Sequence, residues 1–347
     1  MSEDITVRHV DTDAIPEELM KVVQPIVFKW QSAALRVAAA HDPRVKEKWT
    51  KGSEEELLSK RFAQIPDEAK VRGEAKADAL LRTASFRKRS QSVLGIDATE
   101  PAAILPAAPM IKMTEPELRN LRNFVTTLLP AAQAPAPAGA VVHDKIALQF
   151  IRVACIDETN GWFGTEAGSD EISIGGVRFD TDGRTAEIGS VDLGGNWDDG
   201  DVRDFKPPKS IFSYSLRGGL TFPRAVFATL VLVERDGGGM EKIIDEVVKK
   251  IAAEVKTSLA ALLGAAIGGA AGGPVGVLIG LAVGYAVDKL VAWLGSLWED
   301  IAFIPRTIEV QVPSRTSTFS GSLTMPSTVV RFRGPGEYAC RYQWVLS

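Results

Sequence analysis

Cysteine is almost missing from this chain of 347 residues: Cys155 and Cys340 are its only two. A disulfide framework is thereby excluded, and burial of apolar surface must support the fold. Both cysteines lie in strand-like sequence, where two buried free thiols are expected; pairing in an oxidising compartment is the alternative. Histidine is nearly as scarce, with His9, His41 and His143 alone. No His-Glu-x-x-His, Cys-x-x-Cys, Gly-x-Ser-x-Gly or Gly-x-x-x-x-Gly-Lys-Ser/Thr pattern occurs. The usual marks of zinc-peptidase, thiol-redox, serine-hydrolase and P-loop chemistry are therefore lacking. No enzymatic activity is expected; a hydrolase working with carboxylates alone is the one class left open.

A basic excess is lacking too. The net charge is −4 and the pI near 5.6, so a nucleic-acid partner is not expected. The first residues, Met1-Ser2-Glu3-Asp4, are acidic, with no basic stretch leading into an apolar one. Export by a Sec signal peptide is not expected. The chain is read as made in the cytoplasm and, where it acts outside, as exported by a non-classical route.

Charge also vanishes locally, and there the sequence is most informative. No charged side chain occurs from Ser258 to Val287, a run of 30 residues (287 − 258 + 1). Within and around this run Gly264, Gly268, Gly272, Gly276, Gly280 and Gly284 recur every fourth residue, which places them on one helical face. Glycine costs a helix roughly 1 kcal/mol relative to alanine, so such a ridge implies close approach of another backbone. Gly272-Gly273-Pro274 breaks the helix. The expected product is a hairpin over 240–300 whose arms meet along their glycine faces. Its first arm begins amphipathic, with Ile244, Val247, Val248, Ile251 and Val255 on one stripe. Two readings of the hairpin stand side by side. It inserts into or associates with a lipid membrane, with Trp293 and Trp298 near the interface; or it packs within the protein, or on a protein partner, and never meets lipid. Each uncharged arm is about 15 residues, short of the ~20 that span a bilayer. Spanning would draw on the amphipathic portions, with a homo-oligomer on the membrane as one route.

Before the hairpin the period of the apolar residues changes. Residues 14–90 read as helices: Ile15, Leu19, Val22, Val23, Ile26, Val27 and Trp30 recur at three- and four-residue spacing. Ser53 with Glu54–Glu56, and Thr114 with Glu117, mark helix starts. One helix is expected over about 67–90, ending in Arg87-Lys88-Arg89. The stretch from Pro130 to Gly139 has the composition of a semi-rigid spacer. From Ile146 the period is two, with strands expected at 146–156, 171–179, 185–193, 209–216, 225–234, 306–312, 328–333 and 337–346. An apolar phase slip at Gly175-Gly176 predicts a β-bulge. The expected fold class is α+β: a helical domain (1–135), a Pro/Ala-rich linker (136–145), and an antiparallel β-sandwich (146–347) carrying the hairpin as an insertion.

Acidic residues gather in the sandwich. Residues 150–210 hold 13 Asp and Glu against 6 Lys and Arg, whereas 1–140 hold 19 against 20. In a simple meander the loop at Asp157, Glu158 and Asp170 shares an end with the loop at Asp198, Asp199 and Asp201, and the hairpin is launched from that end. Clustered carboxylates on loops are what calcium requires, so Ca2+ is the cofactor expected here; ordinary solvated turns are the alternative.

The segments Cys155-Ile156-Asp157-Glu158-Thr159, Ser169-Asp170-Glu171-Ile172 and Asp198-Asp199-Gly200-Asp201 carry a resemblance, together with the ending Gly336-Glu337-Tyr338…Tyr342-Gln343-Trp344. Over 146–347 the chain resembles an uncharacterised bacterial family with a similar acidic-loop sandwich and a Gly-rich helical insertion. That resemblance implies a domain boundary and no activity. In character the hairpin is similar to the hydrophobic hairpins of colicin-type pore formers. The function expected is that of a membrane-active, toxin-like effector, of the kind carried as cargo by a contractile injection machine. The alternative is a soluble binding or assembly module whose hairpin mediates protein contacts.

Overall fold

Serine and threonine open helices where the spacing places them. Ser53 Oγ accepts the Glu56 N–H at 3.1 Å at the head of α2 (Glu54–Phe62). The Thr114 N–H donates to Glu117 Oε2 at 2.7 Å at the head of α5 (Glu115–Thr127). Each contact satisfies a donor that the first turn leaves open. Thr83 acts likewise on Phe86, and so divides the single helix expected over 67–90 into α3 (Asp67–Leu81) and α4 (Ala84–Leu94). The first and longest N-terminal helix, α1 (Glu17–Ala39), runs through Pro25.

The computed structural model describes residues 4–10, 15–40, 49–65, 67–100, 102–127, 140–158, 170–181, 184–218, 220, 222–234, 240–263, 274–298, 303–334 and 336–347. The Pro/Ala-rich spacer and Gly264, Gly268 and Gly272 lie outside these residues.

The fold class is α+β, as expected, and all eight expected strands form. They are β2 (Lys145–Asp157), β3 (Asp170–Asp180), β4 (Thr185–Trp197), β5 (Val202–Ser215), β6 (Arg224–Glu234), β7 (Arg306–Val312), β8 (Thr328–Arg333) and β9 (Glu337–Leu346). A short strand that the periodicity did not mark, β1 (Thr6–His9), pairs with β7. One antiparallel sheet has the order β1-β7-β6-β3-β4 and the other β5-β2-β9-β8. The connections β2–β3 and β4–β5 cross between sheets, so the simple meander is replaced by a sandwich. The inserted hairpin, α6 (Met240–Leu263) and α7 (Pro274–Trp298), separates β6 from β7, which nonetheless pair directly.

The five-stranded sheet is covered on both faces. Val226, Ala228, Leu230 and Leu232 of β6 point into the sandwich with Ile308 and Val310. Ala225, Phe227, Val231 and Val233 point the other way, into a core shared with α1, α6 and α7. Two-sided burial is the physical reason that 225–233 is apolar almost without interruption.

The irregularity expected at Gly175-Gly176 is present on one side of the strand. Pairing of β3 to β6 runs unbroken from Ile172 to Asp180, whereas the β3–β4 register slips between Ile174↔Val191 and Gly176↔Ile188, as it does between Asp170 and Ile172 and between Ile172 and Ser173. The apparent phase slip arises because Ile172 and Ile174 face the sandwich whereas Val177 and Phe179 face the helices. Gly176 is required here: its φ is +139° and a Cβ would stand 2.0 Å from the Thr229 carbonyl oxygen.

Cys155 and Cys340 are buried free thiols in adjacent strands. Cys155 stands opposite Tyr338 and Cys340 opposite Val153, so the two are staggered rather than paired. Burial raises the Cys340 thiol pKa.

Candidate functional site

The hairpin is built into the helical layer. α7 lies under α1 and against α6, and its Val277, Leu278, Ala282, Val283, Ala286, Val287 and Leu290 are buried in the common core. The two fully described glycines of the ridge face the sheet. A Cβ on Gly280 would meet Phe179 Cε2 at 2.7 Å and Phe227 Cδ2 at 2.9 Å. A Cβ on Gly284 would meet Thr307 Oγ1 at 2.9 Å. The phenyl rings below are stacked, 5.2 Å between centroids. Close approach is thus what the glycines provide, but their nearest neighbours are β3, β6 and β7 rather than the other arm. Trp293 is partly buried against the same core, so in this fold it does not stand free as an interfacial anchor. The surroundings of Gly276 and the Trp298 side chain lie outside the described residues.

Along α7, Val277–Leu297 is long and apolar enough to cross a membrane by length and composition, while 72% of its most apolar window is buried inside the protein. Two ionisable residues, Asp288 and Lys289, follow the charge-free run, and Asp288 is buried.

The first arm is anchored by charge. Lys29 of α1 is 1% exposed, and its Nζ lies 3.1 Å from both Glu54 Oε1 of α2 and Glu254 Oε1 of α6. It also donates to the Ala107 carbonyl at 3.0 Å. Two turns further along α1, Arg36 pairs with Glu55 at 2.9 Å and donates to the Ala103 carbonyl at 2.6 Å. Glu254 is pushed up to about 7, first by burial, against the pull of Lys29. Trp30 is its weakest influence; the indole N–H and Glu254 Oε2 are both left buried without a well-formed hydrogen bond. Lys29 extends the stripe of Val22 and Ile26 by three residues, a spacing that foretells burial. Its partner 225 positions away has no such signal.

The acidic loops do share an end. The Gly200 N–H donates to the Cys155 carbonyl and the Cys155 N–H to the Asp201 carbonyl, at 3.1 and 2.9 Å, folding the 198–201 turn onto the end of β2. Asp199 Oδ1 accepts the Glu158 N–H at 2.6 Å, and Asp201 Oδ2 accepts the Asp198 N–H at 3.3 Å. Asp201 also stands 3.7 Å from Arg203. Asp157 pairs in register with Glu337, and Asp170 with Trp197. Ile172 pairs with Glu234, so the residue before the hairpin's launch lies at this end as well. Asp199 and Asp201 act as turn acceptors, and among the described residues no three His, Cys, Asp or Glu gather as a metal site.

Asp180 is buried at the opposite end of β3. Arg224 Nη1 reaches its Oδ2 at 3.0 Å and Tyr214 donates to the same oxygen at 2.7 Å. Burial and this carboxylate raise the Tyr214 pKa. The trio joins the two sheets.

Residues 261–307 match the family described as the co-chaperone DjlA transmembrane domain. The match covers 47 residues (307 − 261 + 1), the end of α6, the glycine-rich segment after it and all of α7. No curated protein and no solved structure matches the chain. The match and the apolarity of α7 lend modest support to membrane association.

Proposed function

We propose that this chain is a membrane-associating protein that keeps its bilayer-seeking hairpin, α6–α7, stored against the five-stranded sheet beneath α1. One observation carries the reading: a helix of spanning length and apolarity is held inside a water-facing fold by a fitted seat for Gly280 and by the Lys29 tie to Glu254. Storage keeps the apolar run from water, and release at a bilayer would exchange the burial in protein for burial in lipid. The effector or toxin-like role is the finer form of this reading. Calcium dependence is a further part of it, supported by the shared end of the acidic loops alone.

Liposome flotation with dye release, over several lipid compositions and pH values, tests the reading. The wild-type chain is expected to float and to leak dye under at least one condition. A chain that does neither under any of them overturns it. Burial of most of α7 favours a second reading, a soluble module in which the hairpin is simply the core of the helical layer. That reading requires the hairpin to stay protected from hydrogen exchange when vesicles are present.

A further inference from the structure

The four-stranded sheet turns one face to the sandwich core and the other away from it. Along β9 the sides alternate: Tyr338, Cys340, Tyr342 and Trp344 are buried in the core, whereas Glu337, Ala339, Arg341 and Gln343 face outward. The helices pack on β3, β4, β6 and β7, all strands of the other sheet. On the outward face Ile156, Val202 and Val329 are 47%, 55% and 37% exposed, around a line on which Val202, Ala154 and Ala339 lie side by side. Charge divides across that line. On one side Arg341 lies opposite Arg152, and of the carboxylates in these four strands only Asp204 stands with them. Asp204 is held below the ordinary carboxylate range first by its hydrogen bonds from Arg152, and also by the charges of Lys206 and Arg341. On the other side Glu337 lies opposite Asp157, where the 198–201 turn folds in. Arg331 and Arg333 reach Glu337 there and Arg203 reaches Asp201, while Asp157, Asp198 and Asp199 keep that side acidic.

We propose that two copies of the chain meet on this face, sheet on sheet, the second turned end for end about the Ala154–Ala339 line. Arg341 and Glu337 are equally far from Ala339 along β9, so the turn seats Arg341 of each copy over Glu337 of the other. Arg152 comes over Asp157 in the same way. Each contact occurs twice in such a pair, and the exposed Ile156, Val202 and Val329 leave water in the same step. Face-to-face packing of nearly aligned sheets is the geometry that sandwiches already use. Arg331 falls on the line at the β8 edge, where it is held at 2.6 Å by Glu337 of its own copy. A flat anionic surface such as a bilayer is a poorer match, because it would press on the acidic side together with the arginines. The inference is independent of the membrane reading, since the hairpin packs on the other sheet.

Sedimentation equilibrium of the full chain without vesicles, from micromolar to submillimolar protein, tests it. A reversible monomer–dimer equilibrium is expected, weakened in ~1 M salt, where charges are screened within about 3 Å. Arg341→Glu sets carboxylate over carboxylate at two places and should weaken the dimer about tenfold or more. Glu337→Arg should do the same with arginines, and the exchanged pair, Arg341→Glu with Glu337→Arg, should recover most of the loss. Ala339→Lys, on the line itself, should leave a monomer whose Tm stays near that of the wild type. A wild-type chain that is monomeric throughout overturns the proposal. Retention of that monomer on phosphatidylserine vesicles, lost in Arg341→Glu, would assign the face to lipid instead. The proposal also fails if Arg341→Glu and Ala339→Lys dimerise as tightly as wild type, or if the exchanged pair recovers nothing.

Discussion

Gly280 of α7 lies over Phe179 of β3 so closely that a Cβ at this glycine would stand 2.7 Å from Cε2 of the ring. Inserting a larger side chain must lift α7 from the sheet or displace the stacked rings. Gly280→Leu should therefore cost about 3 kcal/mol, the upper part of the range for overpacked cores. Denaturant unfolding measures that loss. If the hairpin is a stored membrane element, the same variant should float with liposomes more readily than wild type, because the stored state alone is weakened. Aggregation without lipid binding would speak for the soluble reading.

Lys29 ties three elements together, and its removal leaves two buried carboxylates with no cation. Lys29→Met should destabilise by about 3–5 kcal/mol, the usual cost of breaking a buried pair from one side. Adding Glu254→Gln to it should recover part of the loss, since one of the stranded charges is then gone. A double-mutant cycle reads the coupling directly. Additive effects of the two substitutions would show that the 3.1 Å contact contributes nothing.

The same glutamate makes stability depend on pH. Its folded pKa of about 7 lies above the ordinary 4.5. Between those values the folded chain binds a proton that the unfolded chain does not, so stability rises as pH falls. The contribution is fully present below about 4.5 and is lost as pH rises through about 7. The slope approaches ~1.4 kcal/mol per pH unit at its steepest. Glu254→Gln should remove this slope from the pH profile of the melting free energy; an unchanged profile would assign the slope to other groups.

Removing the N-terminal half should uncover the hairpin. A fragment beginning at Val141 lacks α1, which packs on α7, and β1, which covers the edge of β7. It is expected to bind a hydrophobic dye and to float with vesicles or precipitate, while the full chain remains dispersed. A fragment as soluble and dye-free as the full chain would show that α1 is not the cover.

Calcium bears on the acidic end. Under the calcium reading, millimolar calcium raises the Tm of the wild type and leaves that of Asp157→Ala/Asp199→Ala unchanged, by the mass action of a ligand bound only to the folded state. Equal wild-type melting in calcium and in chelator would leave these carboxylates with the turn contacts seen at Glu158 and Asp198.

What the sequence determined by itself is local. Period-two alternation located β2 through β9, and side-chain caps at Ser53 and Thr114 started helices, because strand pleat and first-turn hydrogen bonds are set by near neighbours. The four-residue glycine spacing demanded a close approach, and Gly280 and Gly284 make one. Tertiary structure alone decided what approaches: Phe179, Phe227 and Thr307 come from strands on either side of the hairpin in the chain, and no periodicity within α7 names them. The same holds for Lys29 with Glu254 and for Asp180 with Arg224. The spacing of Lys29 foretells its burial but not its partner, and Glu254 and Asp180 carry no mark of burial, since only a distant partner of opposite sign compensates the charge. Whether the charge-free run faces lipid or protein was likewise undetermined by composition, because both surroundings are apolar; in the fold, α1 and the outer face of the five-stranded sheet cover its α7 part.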